Sequence, residues 1–409
     1  MKPLKIMIIA GEASGDILAA ELVKALQRQI TASAPAAYQD HQPLRTSLEP
    51  VFFGAGGPRM SAAGVELAVD MTRHSVIGLS DVVRKLAEFR RIFRELHRLA
   101  LERLPELIIC VDFSGFNRRF AHAIRKHVNS CRSPFFNWNP GLIQYVSPQV
   151  WASREGRTYK VAQDYDQLLA IFPFEKAWYA QRVPRFPVEF VGHPMLDRYA
   201  ELKVTSEAVA EPAAEGPLLA ILPGSRPGEL SRHLPVMLAG LKEIQQRVAN
   251  VRARMVLPSP ELVTQAQAME LPTGLQVQSG GLPEVLSRST AAIASTGTVT
   301  MECAYFGVPT VALYKTSWST YQIARRIVKV KYLAMPNILA DESLFPEFIQ
   351  DAATPHNIAE ATLELLNDAP RRSRIRVRLR EIVDSLGGPG ASERASKAVL
   401  ALYQKKNSA

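Results

Sequence analysis

The sequence predicts an α/β protein with two Rossmann-like domains, whose parallel sheets face a cleft between the domains. Short aliphatic and β-branched runs alternate with helical patterns from the start of the chain, which is typical of parallel sheets buried on both faces. The stretch Glu201–Pro217 carries no strand pattern, and the alternation restarts after it. We therefore expect an N-terminal domain over 1–200, a linker over 201–217 and a C-terminal domain over 218–384. A last helix over 385–409 is expected to pack on the N-terminal domain or on a partner.

Each half begins with a strand, a turn and a helix. In the first half, the strand Lys5–Ala10 is followed by a glycine-containing turn and a helix that begins near Ile17. The further strands predicted in this half are Val51–Gly54, Leu107–Val111, Ile143–Val146, Leu168–Phe172 and Val188–Val191. Those predicted in the second half are Leu218–Leu222, Arg254–Leu257, Ala291–Ala294 and Thr310–Leu313. The polar, Pro-containing insertions 32–50 and 129–141 are expected to be surface loops.

Composition narrows the class of protein. Of 409 residues, 47% are hydrophobic and 22% are charged, which excludes wholesale disorder and fibrous repeats. No apolar run reaches the roughly 18 residues that a membrane-spanning helix needs, and no signal peptide is recognised, so we expect a cytosolic chain. Three cysteines without a CxxC pair predict neither a disulfide framework nor a zinc site. The net charge of +10 favours a polyanionic partner, whether nucleic acid, phosphorylated metabolite or anionic lipid.

Ligands in doubly wound sheets bind beyond the carboxyl ends of the strands, so residues that follow strands are the candidate site. The first turn is not a GxGxxG motif, and Asp16 in it would repel a pyrophosphate, which disfavours a nicotinamide cofactor. Ser14 or Asp16 can serve as a helix N-cap, whereas Glu12 at the strand end is a catalytic candidate. Asp112 follows the strand Leu107–Val111 and suits a general base; capping the next helix is its alternative role.

The second half carries a diphosphate-binding pattern. Gly224, Ser225 and Arg226 follow its first strand, so backbone N–H groups and a guanidinium can hold a diphosphate without a metal. A later strand leads into a hydroxyl-rich turn and a helix start, formed by Ser295, Thr296, Gly297 and Thr298. Glu302, one turn into that helix, can accept both hydroxyl protons of a ribose. The pair of turns predicts binding of a nucleotide sugar.

Two other polar features have weaker patterns. Asp164-Tyr165-Asp166 matches the Asp-x-Asp of metal-dependent transferases, but it precedes a strand instead of following one, so we predict no metal there. His193 lies just past a strand near the domain junction, where it can contact substrate or pack at a hinge. Neither feature changes the expectation of a metal-free, cofactor-free site.

Several longer segments are more specific to one protein family than the single turns above, and most of them follow predicted strands. They are Ala10–Asp16, Gly56–Met60, Tyr145–Ala152, Phe172–Lys176, Val191–Pro194, Leu222–Arg226, Thr296–Glu302 and Leu333–Ala340. With these segments the chain resembles the lipid-A-disaccharide synthase family, from residue 5 to about 345. Ser153 departs from the family pattern, in which an aromatic residue is frequent, and the insertions 32–50 and 129–141 depart as well.

The resemblance implies a GT-B fold, with acceptor and membrane functions in the N-terminal domain and UDP-sugar binding in the C-terminal domain. It implies transfer of 2,3-diacylglucosamine from UDP to the 6-hydroxyl of 2,3-diacylglucosamine 1-phosphate, with inversion to a β-1,6 link. By position, Asp112 resembles the general base, although Glu12 stays an alternative, and Arg226, Glu302 and Asn337 resemble residues of the UDP site. The matched segments further suggest an acceptor site, which comprises Ser14, Arg59, Met60, Ser147 and His193. A homodimer with intertwined C-terminal segments is also implied.

Lipid substrates require contact with a bilayer. The stretch from Val76 to Leu86 is apolar with a basic edge and continues into arginines at helical spacing. We expect it to lie on the cytoplasmic face of the inner membrane as a basic amphipathic helix, although an ordinary core-facing helix has the same pattern. The predicted membrane-contacting residues are Val76, Ile77, Leu79, Val82, Val83 and Leu86.

Two other function classes share some of these features. A UDP-sugar 2-epimerase also pairs two Rossmann-like domains around UDP, but it has no use for a membrane-facing helix. A basic nucleic-acid-binding protein would explain the net charge and the arginines between Arg371 and Arg380, yet no nucleic-acid-binding motif is present. We therefore predict a glycosyltransferase that does not bind nucleic acid.

Overall fold

A computed structural model describes residues 3–32, 49–72, 82–200 and 216–408. The chain divides into two compact units. The N-terminal unit lies within residues 1–200 and 386–409, and the C-terminal unit lies within residues 201–385. Each unit is a parallel sheet with helices between its strands.

The N-terminal unit contains a seven-stranded parallel sheet with the order β3-β2-β1-β4-β5-β6-β7. Its strands are β1 Lys5–Ala10, β2 Val51–Gly56, β3 Glu66–Asp70, β4 Leu107–Val111, β5 Gly141–Tyr145, β6 Gln167–Ala170 and β7 Val188–Phe190. Strands β1, β4 and β5 are almost wholly buried, because helices cover both faces of the sheet centre. The strand order reverses between β1 and β4. Doubly wound sheets bind ligands at the carboxyl ends of the strands beside such a reversal, so we name this end of a sheet its binding edge.

Helices connect these strands, and the last helix of the chain belongs to the same unit. They are α1 Ala13–Ala32, α2 Pro58–Ala62, α3 Val82–Arg103, α4 Ser114–Cys131, α5 Val150–Ser153, α6 Arg157–Asp164, α7 Pro173–Ala180, α8 Met195–Tyr199 and, near the C-terminus, α17 Ala391–Asn407.

The C-terminal unit contains a six-stranded parallel sheet with the order β10-β9-β8-β11-β12-β13. Its strands are β8 Leu218–Leu222, β9 Arg252–Leu257, β10 Leu275–Ser279, β11 Ala291–Ser295, β12 Thr310–Tyr314 and β13 Glu347–Ile349. Its helices are α9 Pro227–Arg247, α10 Pro260–Gln267, α11 Leu282–Leu286, α12 Thr298–Tyr305, α13 Trp318–Ile327, α14 Met335–Ala340, α15 Pro355–Asn367 and α16 Ala369–Ser385. The strand order reverses between β8 and β11, so their carboxyl ends form its binding edge.

The C-terminal helix α17 is held on the N-terminal unit by capping and ion pairs. Asp197 accepts hydrogen bonds from the first N–H groups at the helix start, including Gly390 at 2.5 Å and Ser392 at 2.9 Å. Glu393 pairs with Arg28 of α1, and Lys406 Nζ lies 3.2 Å from the carboxylate of Asp166. The helix is therefore part of the first sheet's helical layer.

The two-unit, parallel α/β prediction is confirmed, and three strands were missing from it. The strands β3, β10 and β13 lie at sheet edges and are half exposed, so they lack the continuous apolar run that identifies a central strand. The first helix also begins at Ala13, earlier than the predicted Ile17. Of the two insertions, 129–141 contains the end of α4 and a short turn with a bridge between Ser133 and Phe136, and 33–48 lies outside the described residues.

The predicted membrane-contacting residues are described only in part. Val76, Ile77 and Leu79 lie outside the described residues, and so do the side chains of Val82, Val83 and Leu86. Among the described helices, none combines the length and apolar character needed to cross a bilayer.

Candidate functional site

The carboxylates Glu12 and Asp112 follow neighbouring strands at the binding edge of the N-terminal sheet. Ala10 of β1 is in register with Val111 of β4, so the two strands end side by side. Asp112 follows Val111 directly, and its backbone N–H donates to the Tyr145 carbonyl at 2.8 Å. Both carboxylates are half buried. The structure thus brings the two predicted catalytic residues to one sheet edge.

Asp112 lies in a strained backbone segment. Asp112, Phe113 and Val146 have φ angles of +47°, +45° and +68°, which side chains other than glycine rarely adopt. Two buried amides hold this segment. Asn117 Nδ2 lies 2.8 Å from the Asp112 carbonyl, and Gln144 Nε2 lies 3.1 Å from that of Val146. Strain that is fixed in this way is characteristic of functional sites.

Gly11 is required beside this segment because the Phe113 ring lies against it. A Cβ atom at Gly11 would lie 2.1 Å from the ring. The ring also stacks on Phe116 with 5.7 Å between centroids. Phe113 therefore connects the turn after β1 with the turn after β4.

Asp16 caps a different helix from the one predicted. Its buried carboxylate accepts the N–H groups of Gly57 at 2.8 Å, Arg59 at 3.0 Å and Met60 at 3.0 Å, at the start of α2. Asp16 thus holds Arg59 and Met60, two predicted acceptor-site residues, beside the first turn. Ser14, on the first turn of α1, is exposed.

Ser147 belongs to a buried polar cluster. Its hydroxyl lies 3.3 Å from the Tyr179 hydroxyl, and Trp151 Nε1 donates to Glu175 at 3.0 Å. Glu175 also accepts the Phe172 N–H at 3.2 Å. Burial raises the pKa of Glu175 to about 7, against the hydrogen bonds that favour its ionised form. The cluster ties the segment after β5 to the start of α7.

His193 is a neutral, partly buried histidine. Its Nδ1 accepts the Met195 N–H at 3.2 Å, and its ring packs on Phe172 with 5.4 Å between centroids. Burial, followed by the charge of Arg198, lowers its pKa to about 4. The neutral ring therefore carries its proton on Nε2. Its backbone N–H donates to Leu386, where the chain returns to the N-terminal unit.

The predicted diphosphate turns meet at the binding edge of the C-terminal sheet. Gly224, with a φ of +122°, is so closely packed that a Cβ on it would lie 2.7 Å from Glu229 Oε2 and 3.3 Å from Ser295 Oγ. Glu229 of α9 accepts the Ser225 N–H at 3.1 Å and pairs with Arg226 at 3.2 Å. The structure thus brings Gly224, Ser225, Arg226 and Ser295 together.

The start of α12 presents backbone groups at the same edge. The Thr296 N–H donates within the sheet to Leu313 at 3.0 Å, whereas Gly297 and Thr298 are exposed at the helix start. A helix start carries N–H groups without intrahelical acceptors and a partial positive charge, which suits a phosphate. Glu302 lies half buried one turn further along α12.

Asn337 is fully committed to hydrogen bonds inside the C-terminal unit. Its side chain is 0% exposed, exchanges hydrogen bonds of 2.8 Å with the backbone of Phe345 and donates to Glu347 at 2.7 Å. The residue therefore fixes α14 against the start of β13. Its predicted contact with UDP stays a prediction.

The Asp-x-Asp sequence is a structural ion-pair site. Asp164 Oδ1 lies 3.0 Å from His122 Nδ1, and Asp166 accepts from Arg125 at 2.9 Å and from the Leu142 N–H at 2.8 Å. In the described parts of the chain, no group of three or more His, Cys, Asp or Glu side chains is placed to hold a metal ion.

Comparison with known proteins decides the family. The family model for lipid-A-disaccharide synthetase matches residues 6–402. This chain belongs to the lipid-A-disaccharide synthetase family. The lipid-A-disaccharide synthase of Trichlorobacter lovleyi is 35% identical over 411 residues, covering 99% of both chains. That of Geobacter sulfurreducens is 33% identical, covering 98% of both. The chain is accordingly a glycosyltransferase, as its resemblance to the family predicted.

Several solved structures resemble this chain in fold. The glycotransferase of kitacinnamycin matches with a TM-score of 0.59 and 16% identity, covering 98% of this chain and 99% of that one. A UDP-GlcNAc 2-epimerase from Neisseria meningitidis matches with a TM-score of 0.59 and 10% identity, covering 97% of this chain and 100% of that one. At such identities the likeness shows the fold alone, which is the predicted GT-B architecture.

Several polar residues that hold the candidate site together were not among the predicted site residues. They are Asn117, Gln144, Glu175, Glu229 and His233. Each is a polar residue in an otherwise apolar pattern or directly after a predicted turn. His233 lies one turn after Glu229, and its Nδ1 is 3.0 Å from the Pro223 carbonyl. A polar residue at a core position of a strand or helix was the available signal.

Proposed function

We propose that this chain transfers 2,3-diacylglucosamine from UDP to the 6-hydroxyl of 2,3-diacylglucosamine 1-phosphate, forming a β-1,6 link with inversion. The observation that carries the proposal is the placement of Asp112 in a strained segment at the binding edge of the N-terminal sheet. Membership of the lipid-A-disaccharide synthetase family supports the choice of substrates.

Inversion requires one in-line attack on the anomeric carbon and a base for the incoming hydroxyl. We assign the base to Asp112, because the Asn117 and Gln144 amides donate to its carbonyl and fix its backbone, while its carboxylate lies at the sheet edge. A positioned base contributes about 10²–10⁴-fold to the rate. Glu12, on the neighbouring strand, is the second candidate for the base.

The departing UDP needs donors for the charge that develops on its β-phosphate. Arg226 and the N–H groups at the start of α12 supply them, because fixed dipoles aimed at developing charge stabilise a transition state. Gly224 lets the backbone approach the phosphates closely, and Ser295 lines the same turn. Glu302 is assigned to the ribose hydroxyls.

The remaining predicted acceptor residues belong to the N-terminal unit. Arg59 and Met60 are held by Asp16, and Ser147 is held in the Glu175 cluster. We assign these residues and His193 to the acceptor sugar. The neutral His193 ring is a hydrogen-bond donor at Nε2, which suits a sugar hydroxyl.

Contact with lipid is assigned to the segment 76–86 and to α3. On α3, Ile92, Leu96 and Ala100 are buried against the core, whereas Arg90 and Arg94 are exposed, which suits a basic face toward anionic headgroups. We propose peripheral association with the cytoplasmic face of the inner membrane. A test is flotation with anionic vesicles after changing Val76, Leu79 and Val82 to Ser; binding that is unchanged would contradict this assignment.

The proposed assembly is a homodimer, which sedimentation velocity would detect.

The central experiment follows UDP release from UDP-diacylglucosamine with and without the 1-phosphate acceptor, for wild type, Asp112→Asn and Glu12→Gln. We expect release only with acceptor, which an epimerase would not require, and a loss of about 10²–10⁴-fold in kcat for Asp112→Asn. Near-normal turnover by Asp112→Asn would move the base to another residue. Release of UDP without acceptor would contradict the transferase proposal.

A further inference from the structure

The N-terminal unit carries a second polar surface where α4 and α6 begin. His122 of α4 and Asp164 of α6 are in contact, with 3.0 Å between Nδ1 and Oδ1. Arg118 lies one turn before His122, and Arg157 lies two turns before Asp164, so each arginine shares a helix face with this contact. Both helices return between parallel strands of one sheet and therefore run in the same direction. The contact consequently brings Arg118 and Arg157 together at the helix starts.

Two more arginines join them. Arg119 follows Arg118 in α4, and the carbonyl of Arg154 accepts the Arg157 N–H at 2.9 Å. Burial, and then the charges of Arg118, Arg154 and Arg119, lower the pKa of Arg157, which is consistent with four neighbouring guanidinium groups. We name Arg118, Arg119, Arg154 and Arg157 the arginine cluster.

No carboxylate in the described parts of the chain forms an ion pair with the arginine cluster. Glu155, which lies within the cluster in sequence, is bound instead to Arg182 Nε at 2.5 Å. Like charges repel, so the cluster destabilises the folded chain, and the two helix starts add further positive partial charge. An arrangement of this kind favours a bound anion.

The arginine cluster lies near the proposed base. Helix α4 begins at Ser114, two residues after Asp112, and Arg118 is about 6 Å along the helix from that start. Helix α6 follows β5, which pairs directly with β4. Cluster and base therefore lie toward the same carboxyl edge of the sheet.

We propose that the arginine cluster binds the phosphate monoester of the acceptor sugar, an inference that rests on the proposed function. Guanidinium groups bind phosphate through paired hydrogen bonds, and a monoester phosphate offers three terminal oxygens to several of them at once. In the acceptor, the 6-hydroxyl and the 1-phosphate flank the ring oxygen, so a phosphate site must lie within one sugar of the base. The arginine cluster meets this requirement.

The test compares wild type with the double variant Arg154→Gln/Arg157→Gln, and uses Arg185→Gln as a matched control. Arg185 is an exposed arginine of the same unit outside the cluster. Two acceptors are assayed in mixed micelles, diacylglucosamine 1-phosphate and the same lipid without phosphate. We expect the double variant to raise KM for the phosphorylated acceptor by about 10- to 100-fold, because charge-assisted hydrogen bonds are lost. KM for the UDP-sugar and for the unphosphorylated acceptor should stay within about twofold, and the control should behave like wild type.

Binding of the two micelle types, measured without UDP-sugar, separates this inference from the proposed function. If wild type transfers no sugar, the proposed function fails. Phosphate binding by the arginine cluster is still supported in that case if wild type prefers phosphorylated micelles and the double variant does not. Equal rises in KM for both acceptors would overturn the inference. The inference would also be overturned if the variant lost binding to phosphatidylglycerol vesicles while its KM for the acceptor stayed unchanged. The arginines would then bind the bilayer surface instead of the acceptor phosphate.

Discussion

Replacing Asp16 by asparagine should destabilise the N-terminal unit far more than the loss of a surface carboxylate. Asp16 is 2% exposed, and one of its oxygens accepts the N–H groups of Gly57 and Met60 while the other accepts that of Arg59. An asparagine of the same shape can keep its oxygen toward Gly57 and Met60. Its amide NH₂ then faces the Arg59 N–H, donor against donor.

The magnitude follows from these three contacts. One charge-assisted hydrogen bond is lost, worth about 1.5–3 kcal/mol, and the other two become neutral bonds of roughly half the strength. We therefore expect Asp16→Asn to lower the free energy of unfolding by about 3 kcal/mol. Asp16→Ala leaves all three N–H groups without this acceptor and should lower it by about 5 kcal/mol.

Urea unfolding followed by circular dichroism measures both changes. Glu102→Gln is a suitable control, because the ion pair that Glu102 makes with Arg98 at 3.7 Å is exposed and worth at most about 0.5 kcal/mol. Since Asp16 holds the turn that carries Arg59 and Met60, Asp16→Asn should also raise KM for the acceptor more than KM for the UDP-sugar. An Asp16→Asn protein whose unfolding free energy lies within about 1 kcal/mol of the wild-type value would refute the capping argument.

Three further perturbations test other parts of the site. Because burial raises the pKa of Glu175 from 4.5 to about 7, the folded state holds a proton that the unfolded state has released. Unfolding free energy should therefore fall by roughly 3 kcal/mol between pH 4.5 and 7, measured by urea titration at each pH. Glu229→Ala removes the acceptor of the Ser225 N–H and should weaken UDP binding about tenfold in calorimetry, whereas Glu229→Gln keeps an acceptor and should stay within about threefold. Gly11→Ala displaces the Phe113 ring and with it Asp112, so kcat should fall while UDP affinity is unchanged.

Each of these has a contrary outcome. A pH slope that persists in Glu175→Gln would assign the titration to another group. Equal UDP affinities for Glu229→Ala and wild type would show that the turn is rigid without its carboxylate. A Gly11→Ala protein with normal kcat would show that the Phe113 ring moves without disturbing Asp112.

The central strands could be predicted because burial on both faces leaves an unambiguous sequence pattern. Strands β1, β4 and β8 have the predicted bounds, and each is an unbroken apolar run apart from Lys5 at the start of β1. The edge strands β3 and β10 could not be predicted in this way, because one side of each faces solvent and polar residues interrupt the run.

The candidate site divides in the same way between local and non-local features. The residues after β8 and β11 follow from local sequence, since a turn and a helix start are determined within a few positions. The partners of Asp16 lie 41 to 44 residues away in the sequence, so a local sequence pattern could not show that Asp16 caps α2. The left-handed backbone at Asp112 could not be predicted, because no glycine marks it in the sequence. It is stabilised by hydrogen bonds that Asn117 and Gln144 donate to the Asp112 carbonyl.

The return of the chain to its first sheet determines how the protein can be divided. A fragment that stops at Ala200 lacks the partners of Asp197, Arg28 and Asp166, and it leaves bare the surface of α1 that α17 covers. A stand-alone N-terminal unit therefore has to be made from two pieces of the gene, with residues 386–408 fused behind Ala200 or added as a separate peptide. The same arrangement makes the terminal peptide a natural tag for split-protein complementation, in which recovery of a folded first half reports that the two pieces have met.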